Sequence, residues 1–258
     1  MAVMSNSAQS DGTKGSLVRI LDAADAMPGA SALRARSYDL LDVAPGQVVV
    51  DVGCGTGLAV AELAGRGAWV VGVDVSEPMI TLARRRWPGL DFRLGTAGEL
   101  PLADGAVAGY RADKVFHELA DPALALAEAW RVLVPRGRIV LVGQDWDAFV
   151  IDSDDPGLTR TIVHARADMI ANPRAARRYR TLLLDAGFQD VTIEVNTAVF
   201  TDMTMLPMLT GLADAACASG AISRAQAERW TAEHTQRAQA GRLFVAVPLF
   251  LAVGERPD

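Results

Sequence analysis

The chain has 258 residues, half of them apolar, and a net charge of −6. A chain of this size buries about three-quarters of its unfolded surface, enough for one large α/β domain. The acidic balance excludes a general affinity for nucleic-acid phosphates, which rests on a lysine and arginine footprint, so no nucleic-acid partner is expected.

Residues 1–16 are polar and lack the apolar core of a signal peptide, and they read as a disordered tail. From Gln47 the chain alternates β-branched runs with helical patterns, which predicts βαβ units and a parallel sheet over one domain spanning 47–258. The first strand is Val48 to Asp51, after a Pro45-Gly46 turn, and a helix follows from Leu58 to Ala64. The second strand is Trp69 to Val73, and Ser76 with Pro78 predicts a capped helix running to about Trp87. Strands three and four fall near Asp91–Leu94 and Val107–Ala112. A helix from Pro122 to Leu133 precedes the fifth strand, Arg138 to Val142, and a helix-rich stretch from Asp155 to Ala186 breaks at Asn172-Pro173. The sixth strand is Asp190 to Val199, and residues 203–240 read as a two-helix insertion split at Ser219-Gly220.

The final strand, Leu243 to Val253, contains Pro248, which cannot donate to a ladder and so predicts a bulge. That run is also the longest apolar one, at 11 residues too short for a membrane-spanning helix, and no membrane span is expected. Cys54 and Cys217 have no metal-ligand spacing and make no disulfide framework; no metal is expected, and the compartment reads as reducing and cytoplasmic. A homodimer is left open.

The informative segment is Val48 to Gly57, an apolar strand ending in Asp51, then glycine at 53, 55 and 57, then a helix. Glycines serve where backbone takes positive φ or approaches a ligand closely, and a helix N-terminus adds free N–H groups. A nicotinamide dinucleotide fingerprint needs G-x-G-x-x-G, whereas position 58 is Leu58 and the third glycine comes one residue early. Asp74 closes the second strand, 17 residues after Gly57, where a carboxylate can accept hydrogen bonds from both hydroxyls of a ribose.

These residues resemble a known family. Asp51-Val52-Gly53-Cys54-Gly55-Thr56-Gly57 is similar to the first motif of class I S-adenosylmethionine (SAM) dependent methyltransferases. Val73-Asp74-Val75-Ser76 with Met79 resembles the second, and Ala129 to Gly137 resembles the stretch before the fifth strand. The subgroup nearest in pattern is the ubiquinone/menaquinone-type and small-molecule enzymes. The resemblance implies a Rossmann-like, doubly wound α/β sheet, mostly parallel with an antiparallel last strand, plus a helical cap, and SAM as cofactor. It implies that Gly53, Gly55 and Gly57 pass along the methionine part, that Asp74 holds the ribose, that Met79, Thr96 and Ala97 lie near the adenine, and that Asp51 and Val75 also belong to the cofactor site. Thr96 stands where the family usually has an acidic residue. Arg111 falls where a backbone or side-chain contact to the methionine moiety is expected. Residues 17–46 would form a helical lid, which makes Arg34 and Tyr38 substrate candidates beside the alternative of a packing helix.

Ligands of open α/β sheets bind beyond the carboxyl ends of the strands. His117, after the fourth strand, is the candidate general base, with a surface or helix-start histidine as the alternative. Gln144, Asp145 and Trp146, after the fifth, are substrate candidates; a tryptophan between carboxylates suits an aromatic or cationic ligand, or is structural. The functional expectation is transfer of a methyl group to the O, N or C of a small hydrophobic or aromatic metabolite. The alternative is a SAM-binding protein without transfer, a regulatory module or a cyclase.

Overall fold

The computed structural model describes residue 25 and residues 29–258; the tail expected over 1–16 and the start of the lid lie outside the described residues. Eight strands form one sheet among the described residues: β1 (Val48–Val52), β2 (Trp69–Asp74), β3 (Asp91–Leu94), β4 (Val107–Asp113), β5 (Leu133–Gln144), β6 (Val150–Ile151), β7 (Gln189–Phe200) and β8 (Val245–Glu255). Their order is β3-β2-β1-β4-β5-β8-β6, with β7 also on β8. The β1, β2, β3, β4 and β5 pairings are parallel, and β8 runs antiparallel to β5, β6 and β7. This is the Rossmann-like, mostly parallel sheet with an antiparallel last strand.

The helices are α1 (Ala30–Leu41), α2 (Leu58–Gly65), α3 (Glu77–Arg86), α4 (Pro122–Val132), α5 (Pro156–Ala167), α6 (Ala175–Asp185), α7 (Leu206–Ala218) and α8 (Arg224–Gln239). Central strands read as unbroken apolar runs because helices cover both faces. Side chains alternate between them. Ile139 and Leu141 join a core with Leu126, Ala129 and Leu183 of α4 and α6. Val140 and Val142 join the opposite core with Leu41 of α1, Leu63 of α2 and Ile80 of α3. A third core fills the cap, where Leu209 and Leu212 of α7 and Trp230 of α8 meet Leu158 and Ile162 of α5.

Local chemistry fixes the helix starts. Asp121 accepts from Ala123 N (3.0 Å) and Leu124 N (3.3 Å) ahead of Pro122 at the first turn of α4, and Ser223 with Gln226 makes a reciprocal capping box on α8. Ser76, expected to cap α3, makes no such side-chain bond; instead its own N–H donates to Asp74.

Two other expectations are corrected. No bulge occurs at Pro248, since the β7–β8 ladder runs through Thr197 opposite Pro248 without a shift. On the other flank β8 has no partner between Leu249, opposite Gln144, and Ala246, opposite Val150, so a proline is tolerated there. Irregularities lie elsewhere: in β5 Leu133 pairs Val107, the chain loops out through Pro135-Arg136-Gly137, and pairing resumes at Arg138 opposite Gly109, and in β7 the register shifts between Gln189 and Thr192.

Candidate functional site

The β1–α2 loop carries three glycines at φ 69°, 52° and 85° (Gly53, Gly55, Gly57), the left-handed region that side chains avoid. At two of them the protein itself requires the absence of a side chain. A Cβ on Gly53 would come within 2.4 Å of Val115, and one on Gly57 within 2.7 Å of Phe92. Trp87 Nε1 donates to Thr56 O (3.1 Å), pinning the loop from α3.

Asp74 faces this loop. Its Oδ2 accepts from Gly55 N (2.9 Å) and its Oδ1 from Ser76 N (2.8 Å). A carboxylate has about four lone-pair sites, so each oxygen retains capacity for a ligand hydroxyl. Beside it Val75 is 72% exposed, an apolar side chain at the rim, while Met79 is buried in α3. Across the rim, Thr96 is exposed and Ala97 buried, held by a reciprocal pair of backbone bonds between Thr96 and Glu99. Loop, Asp74, Val75, Met79 and Thr96-Ala97 therefore all stand at the carboxyl ends of β1, β2 and β3.

Asp51 and Arg111 are 2% exposed and bonded to each other. Arg111 donates to Asp51 (2.7 Å), Asp113 (2.7 Å) and Ser37 Oγ (2.9 Å), one partner for each guanidinium nitrogen. Each of its guanidinium nitrogens serves the protein interior, which leaves the backbone at Arg111 as the part open to the expected contact. Burial pushes the Asp51 carboxyl up despite the pull of Arg111. Burial would raise Asp113 too, but Lys114 and Arg111 outweigh it and hold that carboxyl below its usual range.

The same network docks α1. Arg34 donates from Nε and Nη2 to Glu62 of α2 (3.1 Å each), and Tyr38 Oη donates to Glu62 (2.7 Å). Tyr38 lies between the guanidinium groups of Arg66 (5.0 Å) and Arg111 (5.4 Å). Tyr38 thus belongs to the α1–α2 seam, whereas Arg34 serves the seam and also lines a cavity. Glu62, on which both converge, escaped the sequence reading: one glutamate in a short helix carries no local signal of partners 24 and 28 residues away.

That cavity, of about 480 Å³, lies beyond the ends of β5, β7 and β8, between the start of α1 and the cap. It meets the end of β4 at Asp113 and Lys114, and Gln144, Phe149, Phe200, Met205 and Met208 line it. None of the loop glycines, Asp74 or Met79 lines it; its edge at Asp113-Lys114 directly follows Ala112, which pairs with Val52 just before the glycine loop. Lys114 holds φ 60° there, an uncommon conformation for a side-chain-bearing residue.

Of the four candidates His117, Gln144, Asp145 and Trp146, only Gln144 lines the cavity. Asp145 is fully buried, turned away to Arg177, whose Nε and Nη2 both reach it, and accepts from Asp147 N (3.0 Å). Arg174 donates to Asp147 from Nε alone. The basic run of α6 thus clamps the 145–147 turn, and Asp145 is not presented to a substrate. The cation over Trp146 is internal as well, the guanidinium of Arg166 at 4.9 Å. Trp146 in turn stacks on Phe149 (5.8 Å between centroids), which reaches the cavity, and also meets His117 (5.7 Å). His117 is buried, with Nε2 3.1 Å from Glu118 Oε1 and Nδ1 without a partner. Burial pushes its pKa down while Glu118 pulls it up, the net direction being down, so the ring is neutral near pH 7. It stands behind Trp146 rather than on the cavity wall.

A parallel sheet with a glycine loop after its first strand and a carboxylate after its second defines a Rossmann-like nucleoside-binding fold. Residues 50–141 match the methyltransferase domain family. An uncharacterized 37.1 kDa protein in transposon TN4556 of Streptomyces fradiae is 37% identical over 236 residues, covering 86% of this chain and 67% of that protein. Demethylmenaquinone methyltransferase of Renibacterium salmoninarum is 37% identical over 103 residues, 40% of this chain and 44% of that enzyme, so the chain spans less than half of that relative. Among solved structures, geranyl diphosphate C-methyltransferase of Streptomyces coelicolor superimposes with a TM-score of 0.55 at 19% identity, covering 88% of this chain and 76% of that one. Residues 50–141 thus form a methyltransferase domain, carried on the Rossmann-like sheet described above. Among the described residues no helix is long and apolar enough to cross a membrane.

Proposed function

We propose that the protein transfers a methyl group from SAM to a small hydrophobic or aromatic acceptor seated in the 480 Å³ cavity. The observation that carries this reading is that the largely apolar cavity reaches Asp113-Lys114, directly after Ala112, whose ladder partner Val52 leads into the glycine loop that Asp74 braces. The residues present fit the cofactor. Asp74 keeps lone pairs free for ribose hydroxyls while its two backbone bonds hold the loop in place, and exposed Val75 offers an apolar surface to an adenine ring.

Bound SAM supplies an electrophilic methyl on a sulfonium, so the hard chemistry is the cofactor's. The chain's own task is to hold the acceptor in line and exclude water, and orientation alone is worth roughly 7–11 kcal/mol. Docked α1 and the cap residues Met205 and Met208 wall the chamber on two sides. His117, behind Trp146, positions that ring, which supports Phe149; it is not placed to take a proton from the acceptor directly. The engagement of Arg174 and Arg177 with acidic neighbours weighs against a nucleic-acid partner. Two unpaired thiols, Cys54 and Cys217, suit a reducing cytoplasm.

The test is calorimetry followed by methyl labelling. SAM and S-adenosylhomocysteine should bind in the micromolar range or tighter and NAD weakly, and label from SAM should enter a small apolar metabolite of an extract. Binding of NAD without SAM would overturn the reading.

A further inference from the structure

Three cations line the cavity, and each is already held by carboxylate. Arg34 binds Glu62 and Asp25, Arg36 binds Glu194 (2.9 Å from Nε), and Lys114 binds Asp113 (3.1 Å). The two lining carboxylates, Asp25 and Asp113, are themselves partners in those pairs. Among the described residues, then, no lining charge lacks an opposite one. A phosphate entering this chamber would meet cations already neutralised by carboxylates and lose its hydration against Phe149, Phe200 and Met205.

One polar atom breaks this balance. Gln144 is 8% exposed, lines the cavity at the end of β5, and its Oε1 is buried without a hydrogen-bond partner. Buried acceptors are nearly always satisfied, and one left open beside a ligand chamber points to a donor that the ligand brings. Gln144 is also close to the Asp113-Lys114 edge: Asp113 pairs with Val142 in the β4–β5 ladder, two residues before it.

We propose that the acceptor is an uncharged, largely hydrocarbon molecule whose single O–H or N–H donates to Gln144 Oε1, and that phosphorylated acceptors are refused. This rests on the methyltransferase reading and narrows it. Gln144 sets the specificity of the chamber by aligning the donor-bearing end of the acceptor with the Asp113-Lys114 edge.

The experiment uses the full chain saturated with S-adenosylhomocysteine and three probes with one shared body: 4-hexylphenol, its methyl ether, and its phosphate monoester. By calorimetry the phenol should bind about tenfold tighter than the ether, the worth of one neutral hydrogen bond, and at least tenfold tighter than the phosphate. Gln144→Leu should bring the phenol to the ether's affinity without lowering the melting temperature, because it removes an unsatisfied acceptor. Gln144→Met serves as a second variant of similar shape, and S-adenosylhomocysteine affinity checks that each variant is folded. The proposal is overturned if the phosphate binds as well as the phenol, if the phenol keeps its advantage in both variants, or if none of the three probes binds. Failure of the unmodified chain to bind S-adenosylhomocysteine would instead strike the reading beneath it.

Discussion

Replacing Arg111 with methionine tests the assignment of this residue to the interior. In the structure its guanidinium offsets Asp51, 2% exposed, and Asp113, and donates to Ser37 Oγ. Arg111→Met keeps the volume but leaves the Asp51 carboxylate buried without its counter-charge. Breaking a buried pair from one side costs roughly 3–5 kcal/mol. At about 2–4 °C per kcal/mol for a chain of this size, the melting temperature should fall by about 6–20 °C. The loss has a defined pH dependence. An unpaired buried carboxyl has its folded pKa raised above the unfolded value, so the folded state binds more protons and stability drops as pH rises above about 4. The deficit against the parent, followed by calorimetric melting, should therefore shrink at pH 5 relative to pH 8. Adding Asp51→Leu should recover much of the stability, since a matched apolar pair replaces the ionic one. The reasoning is refuted if Arg111→Met melts within 2 °C of the parent while losing SAM affinity tenfold or more, which is the signature of a ligand contact.

Asp74→Ala should weaken SAM binding about 10–100-fold, from loss of one or two charge-assisted bonds and of the clamp on Gly55 and Ser76; unchanged affinity by titration would show the ribose held elsewhere. His117→Ala, assayed by turnover, should lower kcat less than tenfold and keep the parent's acidic limb in a pH–rate profile, whereas a 10²–10⁴-fold loss would restore it as the general base. His234 is fully buried against Trp230 (4.1 Å) with neither nitrogen bonded, and burial depresses its pKa. Because the unfolded chain takes up the proton first, stability should fall as pH drops below about 6.5, by up to about 1.4 kcal/mol per pH unit for this ring. Melting curves of His234→Phe should show a shallower acid limb; an identical limb would place the titrating group elsewhere, His117 having the same sign.

Features written in short-range pattern were readable in the chain alone. Strands β1 and β2, the Gly53–Gly57 loop and Asp74 follow from apolar runs, glycine spacing and a strand-end carboxylate, all within a window of 27 residues, 48–74. The two-helix cap was visible as periodicity broken at Ser219-Gly220. What the pattern could not carry is the partner of a charge. Arg111 meets Ser37 across 74 positions and Asp145 meets Arg177 across 32, so a residue after a strand end looked equally free for a ligand in both cases. The two-residue β6 has too few side chains to show alternation, and Pro248 misled because its tolerance depends on a gap between β5 and β6 on the neighbouring flank.

The cap leaves the sheet after Phe200 and returns at Val245, and those two residues face each other in the β7–β8 ladder. Residues 201–244 are thus a detour whose two ends are already one strand spacing apart. Such an arrangement makes the roof of the chamber an interchangeable module: a tight turn could close the hairpin without it, or a different helical pair could be grafted at the same rungs. Met205 and Met208 are its contribution to the chamber wall, whereas the glycine loop and Asp74 belong to strands at the opposite side of the sheet. Acceptor choice and cofactor use can therefore drift apart over generations, one exchanged as a cassette while the other stays in place.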